Sequence, residues 1–147
     1  MNLPKNILVP TDFSPGAGDA LEYAVTLASK LDAKVHLLNV VSLQTLGAAM
    51  GVPVTSSVVE SIFDGNQKEL DRLIASHAGR CQFAPAVMDT GDARAQIEHQ
   101  AAKLHADLIV MGTHGRRGFQ RLLIGSVAEA IARVAPCPVL LVRHSET

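Results

Sequence analysis

Aromatic residues are nearly missing from this chain: it has no tryptophan, one tyrosine and four phenylalanines. Stacking platforms for single-stranded nucleic acid are therefore scarce, and the core has to be aliphatic. Charge of one sign is missing too. Thirteen Lys and Arg against fourteen Asp and Glu leave a net charge of -1, which lacks the electrostatic footprint of a nucleic-acid binder. Cysteine is limited to Cys81 and Cys137, far apart and in no metal-binding spacing. That usage fits a reducing compartment better than a disulfide framework. No apolar run approaches the ~20 residues of a membrane span. The start, "MNLPKNILVPTD", meets Asp12 too soon for a secretory signal. The expectation is a cytoplasmic protein with neither nucleic acid nor membrane insertion among its partners, and with no metal site.

What is present is 48% hydrophobic residues in a chain of 147, the length of one domain able to bury a core. Four short aliphatic runs stand out: "NILVP" (6–10), "KVHLLNVV" (34–41), "ADLIVMG" (106–112) and "PVLLVR" (138–143). Apolar on both faces, they suit parallel strands covered by helices on each side. A fifth run, "QFAPAVMD" (82–89), is interrupted by Pro85 and reads as an edge strand, where a missing N–H costs least.

Helical spacing fills the intervals. Ser14 can cap a helix with Pro15 in its first turn, and Ala17, Leu21, Ala24, Ala28 and Leu31 continue it. Leu70, Leu73 and Ile74 mark a second helix, and Ile97, Ala101 and Leu104 a third. A last one starts near Ser126 and stops at Pro136. Residues 42–57, rich in small residues, break the alternation and read as a long, mobile connection. Alternating strands and helices predict one α/β domain, 1–147, built on an open parallel sheet with right-handed crossovers.

In such a sheet, ligands bind beyond the carboxyl ends of the strands, where the strand order reverses. Two loops at such ends are conspicuous: "PTDFSPG" after the first strand and "GTHGRRG" after the "LIVMG" strand. Glycines let a backbone approach an anion, and the helix that begins near Gly125-Ser126 offers free N–H groups and a favourable dipole. No Lys-Ser or Lys-Thr follows Gly125, so the loop is not a P-loop. Nor does it lie in the tight first turn of a dinucleotide fold.

The spacing Gly112, two residues, Gly115, nine residues, Gly125-Ser126 resembles the nucleotide-binding branch of the universal stress protein family. "NILVPTDFS", "LLNVV" and "PCPVLLVR" extend the resemblance over nearly the whole chain. It implies a Rossmann-like, adenine nucleotide alpha hydrolase-like fold: an open five-stranded parallel sheet, order 3-2-1-4-5, with helices on both faces. It also implies ATP, with or without magnesium, across the first and fourth strands. Asp12 would meet the ribose, and Pro10, Thr11 and the Val40 backbone would lie near adenine. Met111 and Gly112 would flank the sugar. Gly115, Gly125, Ser126 and Val127 would hold the phosphates, with Arg116 beside them. A homodimer joined along the last strand is the implied assembly.

Each residue also has a plainer reading. Ser126 and Glu129 form an S-x-x-E capping box, and Asp12 is an ordinary turn residue or helix-entry cap. Arg116, Arg117 and Arg121 can simply solvate a loop, or they can meet outer phosphates with planar forks. His114 lies within the loop and reads as a spacing and solvent-contact residue, and no catalytic residue is assigned. Three functions follow: an ATP-binding regulatory module with an unidentified protein partner, a slow ATPase, or an interaction domain without nucleotide. The glycine pattern favours the first. Asp92 and Arg94 after Gly91 depart from the family's usual turn.

Overall fold

The computed structural model describes residues 2–51, 53–115 and 124–145. Its elements run β1 (Asn6–Pro10), α1 (Pro15–Leu31), β2 (Lys34–Val41), α2 (Leu43–Met50), α3 (Ser56–Ser76), β3 (Gln82–Phe83), β4 (Val87–Thr90), α4 (Ala93–Lys103), β5 (Leu108–Gly112), α5 (Ser126–Val134) and β6 (Val139–Val142). The strands pair in the order β3-β2-β1-β5-β6, with β4 also on β2, and every pairing is parallel.

The two-residue period of a strand divides the core. Ile7, Val9, Val35, Leu37 and Val110 face α1 and Leu70 of α3. Leu8, Leu38, Ile109 and Met111 face Ile97 and Ala101 of α4 and Ala128 and Ile131 of α5. β1, β2, β5 and β6 each feed aliphatic side chains to both layers, so these runs show no strict alternation of polar and apolar residues. The first helix forms as the sequence predicts, with the Ser14 hydroxyl accepting from Ala17 N at 3.3 Å and Pro15 opening the helix.

Three expectations need adjustment. The Pro85 run is two strands, not one, because the chain leaves β2 after Ala84 N bonds to Val35 O and rejoins it at Val87. Among the described residues the sheet therefore has six strands, although the predicted 3-2-1-4-5 path survives if β3 and β4 count as one broken strand. Residues 42–57 are not a bare connection: the Ser42 hydroxyl accepts from Thr45 N, and the eight residues from Leu43 to Met50 form α2, ended by Gly51. Asp92 after Gly91 caps α4, with its carboxylate accepting from Ala95 N at 3.1 Å. Among the described residues no helix is long and apolar enough to cross a membrane.

At the amino ends of the strands, His36 donates through Nε2 to Asn6 Oδ1 at 3.0 Å. Burial, and secondarily the charge of Lys34, hold this imidazole below the usual histidine range. The folded state thus disfavours the protonated ring, and the unfolded chain takes up the proton first. The unfavourable contribution is absent above the unfolded value, ~6.5, and grows as pH falls through it toward the folded value. The urea midpoint is expected to drop between about pH 7.5 and about pH 5.5, and to drop less in His36→Gln. Identical pH dependence in parent and variant would remove His36 from the account.

Candidate functional site at the carboxyl ends of β1 and β5

The strand order reverses between β1 and β5, so the loops that follow them meet. The first loop is held by its own side chains. Thr11 Oγ1 accepts from Phe13 N at 3.1 Å, and Asp12 Oδ1 accepts from Ser14 N at 3.0 Å. Phe13 takes a left-handed φ of 65°, which a non-glycine residue adopts only when its surroundings fix it. That turn delivers the chain into α1 and leaves the Asp12 carboxyl half-buried beside the second loop.

The second loop approaches so closely that side chains are excluded at the contact. A Cβ on Gly112 would stand 3.0 Å from Gly16 O, and one on Gly115 only 2.5 Å from Asp12 Oδ2. A Cβ on Gly125 would meet Thr113 O at 3.0 Å, and Gly125 N donates to that same oxygen at 2.6 Å. Thr113 N in turn donates to Val142 O at 3.2 Å, and Thr113 Oγ1 lies 3.1 Å from His114 Nδ1. The loops and the start of α5 are therefore clasped backbone to backbone.

Asp12 stands against Gly115, and Gly112 and Gly125 both stand against the His114 main chain. Met111 is only 6% exposed and its side chain belongs to the core, so only its main chain is available to a ligand. Val127 likewise packs against the α4–α5 layer. Ser126 is exposed in the first turn of α5 and is not the cap: Gly125 is, with no side-chain cap bond. The capping-box reading fails because the helix begins one residue earlier, where Gly125 O accepts from Glu129 N; Glu129 instead accepts from Arg133 at 3.0 Å. Arg116, Arg117 and Arg121 lie outside the described residues.

Pro10 ends β1 opposite Leu38, and Val40 continues β2 two residues further. Between them sits a group that the sequence reading passed over. Asn39, only 4% exposed, donates through Nδ2 to Thr11 O at 2.9 Å and accepts at Oδ1 from Asn66 Nδ2 of α3 at the same distance. The signal was available: one amide in the otherwise aliphatic stretch "LLNVV" of a central strand needs a specific partner.

An open parallel α/β sheet with a glycine-clasped crevice at its reversal point defines a doubly wound, Rossmann-like class. Residues 4–143 match the Universal stress protein family, and the chain belongs to it. It is 33% identical to a universal stress protein of Methanocaldococcus jannaschii, over 97% of this chain and 84% of that one. It is 34% identical to a putative universal stress protein of Staphylococcus haemolyticus, over 97% and 86%. Among solved structures it is similar to the hypothetical protein MJ0577 (TM-score 0.85, 23% identity, 97% and 98% covered). It is also similar to a universal stress protein in complex with cAMP (TM-score 0.68, 22% identity, 98% and 100% covered). A third neighbour is a family protein of Arabidopsis thaliana with AMP bound (TM-score 0.62, 18% identity, 97% and 93% covered).

Proposed function

We propose that the chain is an ATP-binding regulatory module of its family, one that signals through occupancy of the crevice between the β1 and β5 loops. The observation that carries this reading is the contact between the two loops. The Asp12 carboxylate stands against the Gly115 main chain, where a Cβ could enter only by moving that carboxylate, next to the first turn of α5. A carboxylate suits ribose hydroxyls, and bare backbone with a helix start suits phosphate. Gly115, Gly125, Ser126 and Val127 would hold the phosphates, Gly112 and the Met111 main chain would flank the sugar, and Pro10, Thr11 and Val40 would border adenine. Arg116, outside the described residues, would join the phosphates from the loop, and magnesium would arrive with the nucleotide. The AMP and cAMP bound by two neighbours support an adenine ligand.

The reading extends to a homodimer joined along β6, which among the described residues pairs only with β5. It extends also to a cytoplasmic setting, in which the unpaired thiols of Cys81 and Cys137 stay reduced.

Calorimetric titration tests the ligand. ATP is expected to bind more tightly than GTP, because main-chain groups of fixed polarity would read the base. It should also bind more tightly than AMP, which leaves most of the phosphate crevice empty. Equal affinity for ATP and GTP would sink the assignment of adenine.

A further inference from the structure

We propose that Asn39 is the positioning residue that keeps the Val40 main chain open for a base. This inference rests on the nucleotide reading above. In a regular parallel ladder, a residue on one strand bonds to the two residues that flank its partner on the next. Thr11 follows half of this rule: its N–H donates to Leu38 O at 2.8 Å. The other half would have the Thr11 carbonyl accept from Val40 N. It accepts from the Asn39 side chain instead, at 2.9 Å.

The peptide groups of Val40 are thereby spared. Leu38 O faces β1, where it takes Thr11 N, and Val41 O faces β4, where it takes Gly91 N at 3.1 Å. Peptide groups alternate from side to side along a strand, so those of Val40 face the β1 side, past the point where β1 has ended at Pro10. Among the described residues, no group beyond Pro10 bonds to Val40 on that side. An N–H and a C=O, side by side on one strand edge, form a donor–acceptor pair. Adenine offers the complement, a ring-nitrogen acceptor next to an amine donor. Guanine offers an oxygen acceptor next to an N–H, in the opposite sense.

The Thr11 carbonyl sets the direction of the device: it can only accept, so Asn39 turns Nδ2 toward it, and a reversed Asn39 amide would set oxygen against oxygen. Asn66 holds the amide there, its Nδ2 donating to Asn39 Oδ1. Asn39 is buried in the α1–α3 face of the sheet, and Asn66 is half-buried on α3, so the amide pair is shielded from competing water.

Asn39→Leu keeps a similar volume and removes the donor. Thr11 O then recaptures Val40 N–H, the ladder lengthens by one bond, and the base loses its partner. ATP affinity is expected to fall about tenfold, and the preference for ATP over GTP to shrink with it. Asn66→Ala should move both quantities in the same direction by about threefold, and it decides the question if Asn39→Leu does not fold. A merely structural role would weaken both nucleotides by one common factor, and an unchanged ATP-to-GTP ratio in the variants overturns the inference while leaving the nucleotide reading intact. A parent chain that binds neither nucleotide overturns both. Amide exchange without ligand provides a readout free of nucleotide: Val40 should exchange more slowly in Asn39→Leu than in the parent, and equal rates overturn the proposed recapture.

Discussion

Gly115→Val is expected to weaken ATP binding on the order of 100-fold or more while the unfolding midpoint stays close to that of the parent. The fold should tolerate the change because Gly115 is exposed and its φ is not in the left-handed region. The site should not. The first carbon of the new side chain would fall 2.5 Å from Asp12 Oδ2, a separation that real contacts do not reach, so the carboxylate must move. Its other oxygen accepts from Ser14 N at 3.0 Å, and turning the carboxylate away gives up that bond. Valine thus displaces the proposed ribose acceptor and fills the space of a phosphate at once. Loss of charge-assisted hydrogen bonds of this kind costs about 1.5–3 kcal/mol, and blocking the phosphate adds to that. Gly115→Ala should fall between parent and valine. Titration with ATP and a thermal melt check both halves, and a valine variant that binds like the parent would show that the crevice holds no phosphate there. Gly125→Val is a poorer probe. Its side chain would collide with Thr113 O in the ligand-free protein, so lost binding and a damaged clasp could not be told apart.

Sedimentation of the parent at micromolar concentration should give twice the 15.6 kDa chain mass, and Leu141→Lys should return it to one. β6 is one edge of the sheet and carries no proline or charge between Val139 and Val142. The other edge is blunted, with Pro85 separating a two-residue strand from a four-residue one. An open, aliphatic edge is a pairing surface unless something covers it, and a second copy across a two-fold axis would satisfy it. Leu141 also packs against the α4–α5 layer, so lysine there costs stability as well as association. Leu141→Pro separates the two effects. Thr113 N bonds to Val142 O and Ile109 N to Pro138 O, so by alternation the Leu141 N–H points away from β5. Removing it spares the internal ladder and denies a donor to the mate. A parent that sediments as a monomer, with or without ATP, would dispose of the β6 interface.

The sequence was most readable where one physical rule acted alone. Aliphatic runs without alternation marked β1, β2, β5 and β6, and Ser14-Pro15 marked the start of α1. It was less readable where two rules competed. Pro85 was correctly taken as a sign of an edge, but how far one missing N–H pushes the chain off β2 depends on where Phe83 and Val87 can pack. Residues 42–57 carry small residues and turn formers, which masked a capped helix only eight residues long. Ser126 and Glu129 have the spacing of a capping box, yet the bond from Gly125 N to Thr113 O, set by tertiary contact, moved the helix start by one residue. Asn39 and Asn66 stand 27 positions apart, and neither names its partner until α3 is laid on the sheet.

The α2–α3 segment is seated unevenly on the rest of the protein. α2 has no buried residue, and α3 has one, Leu70, in its second half. Most of the apolar area that resists opening therefore lies below Asn66, and little lies above it. In such a molecule α2 and the first half of α3 can open in a local fluctuation that leaves both core layers closed. Asn66 lies at the boundary of the part that opens, and the amide it holds is the one that bonds Thr11 O. A contact that steadied α2 and the start of α3 would thus steady the β1 loop as well.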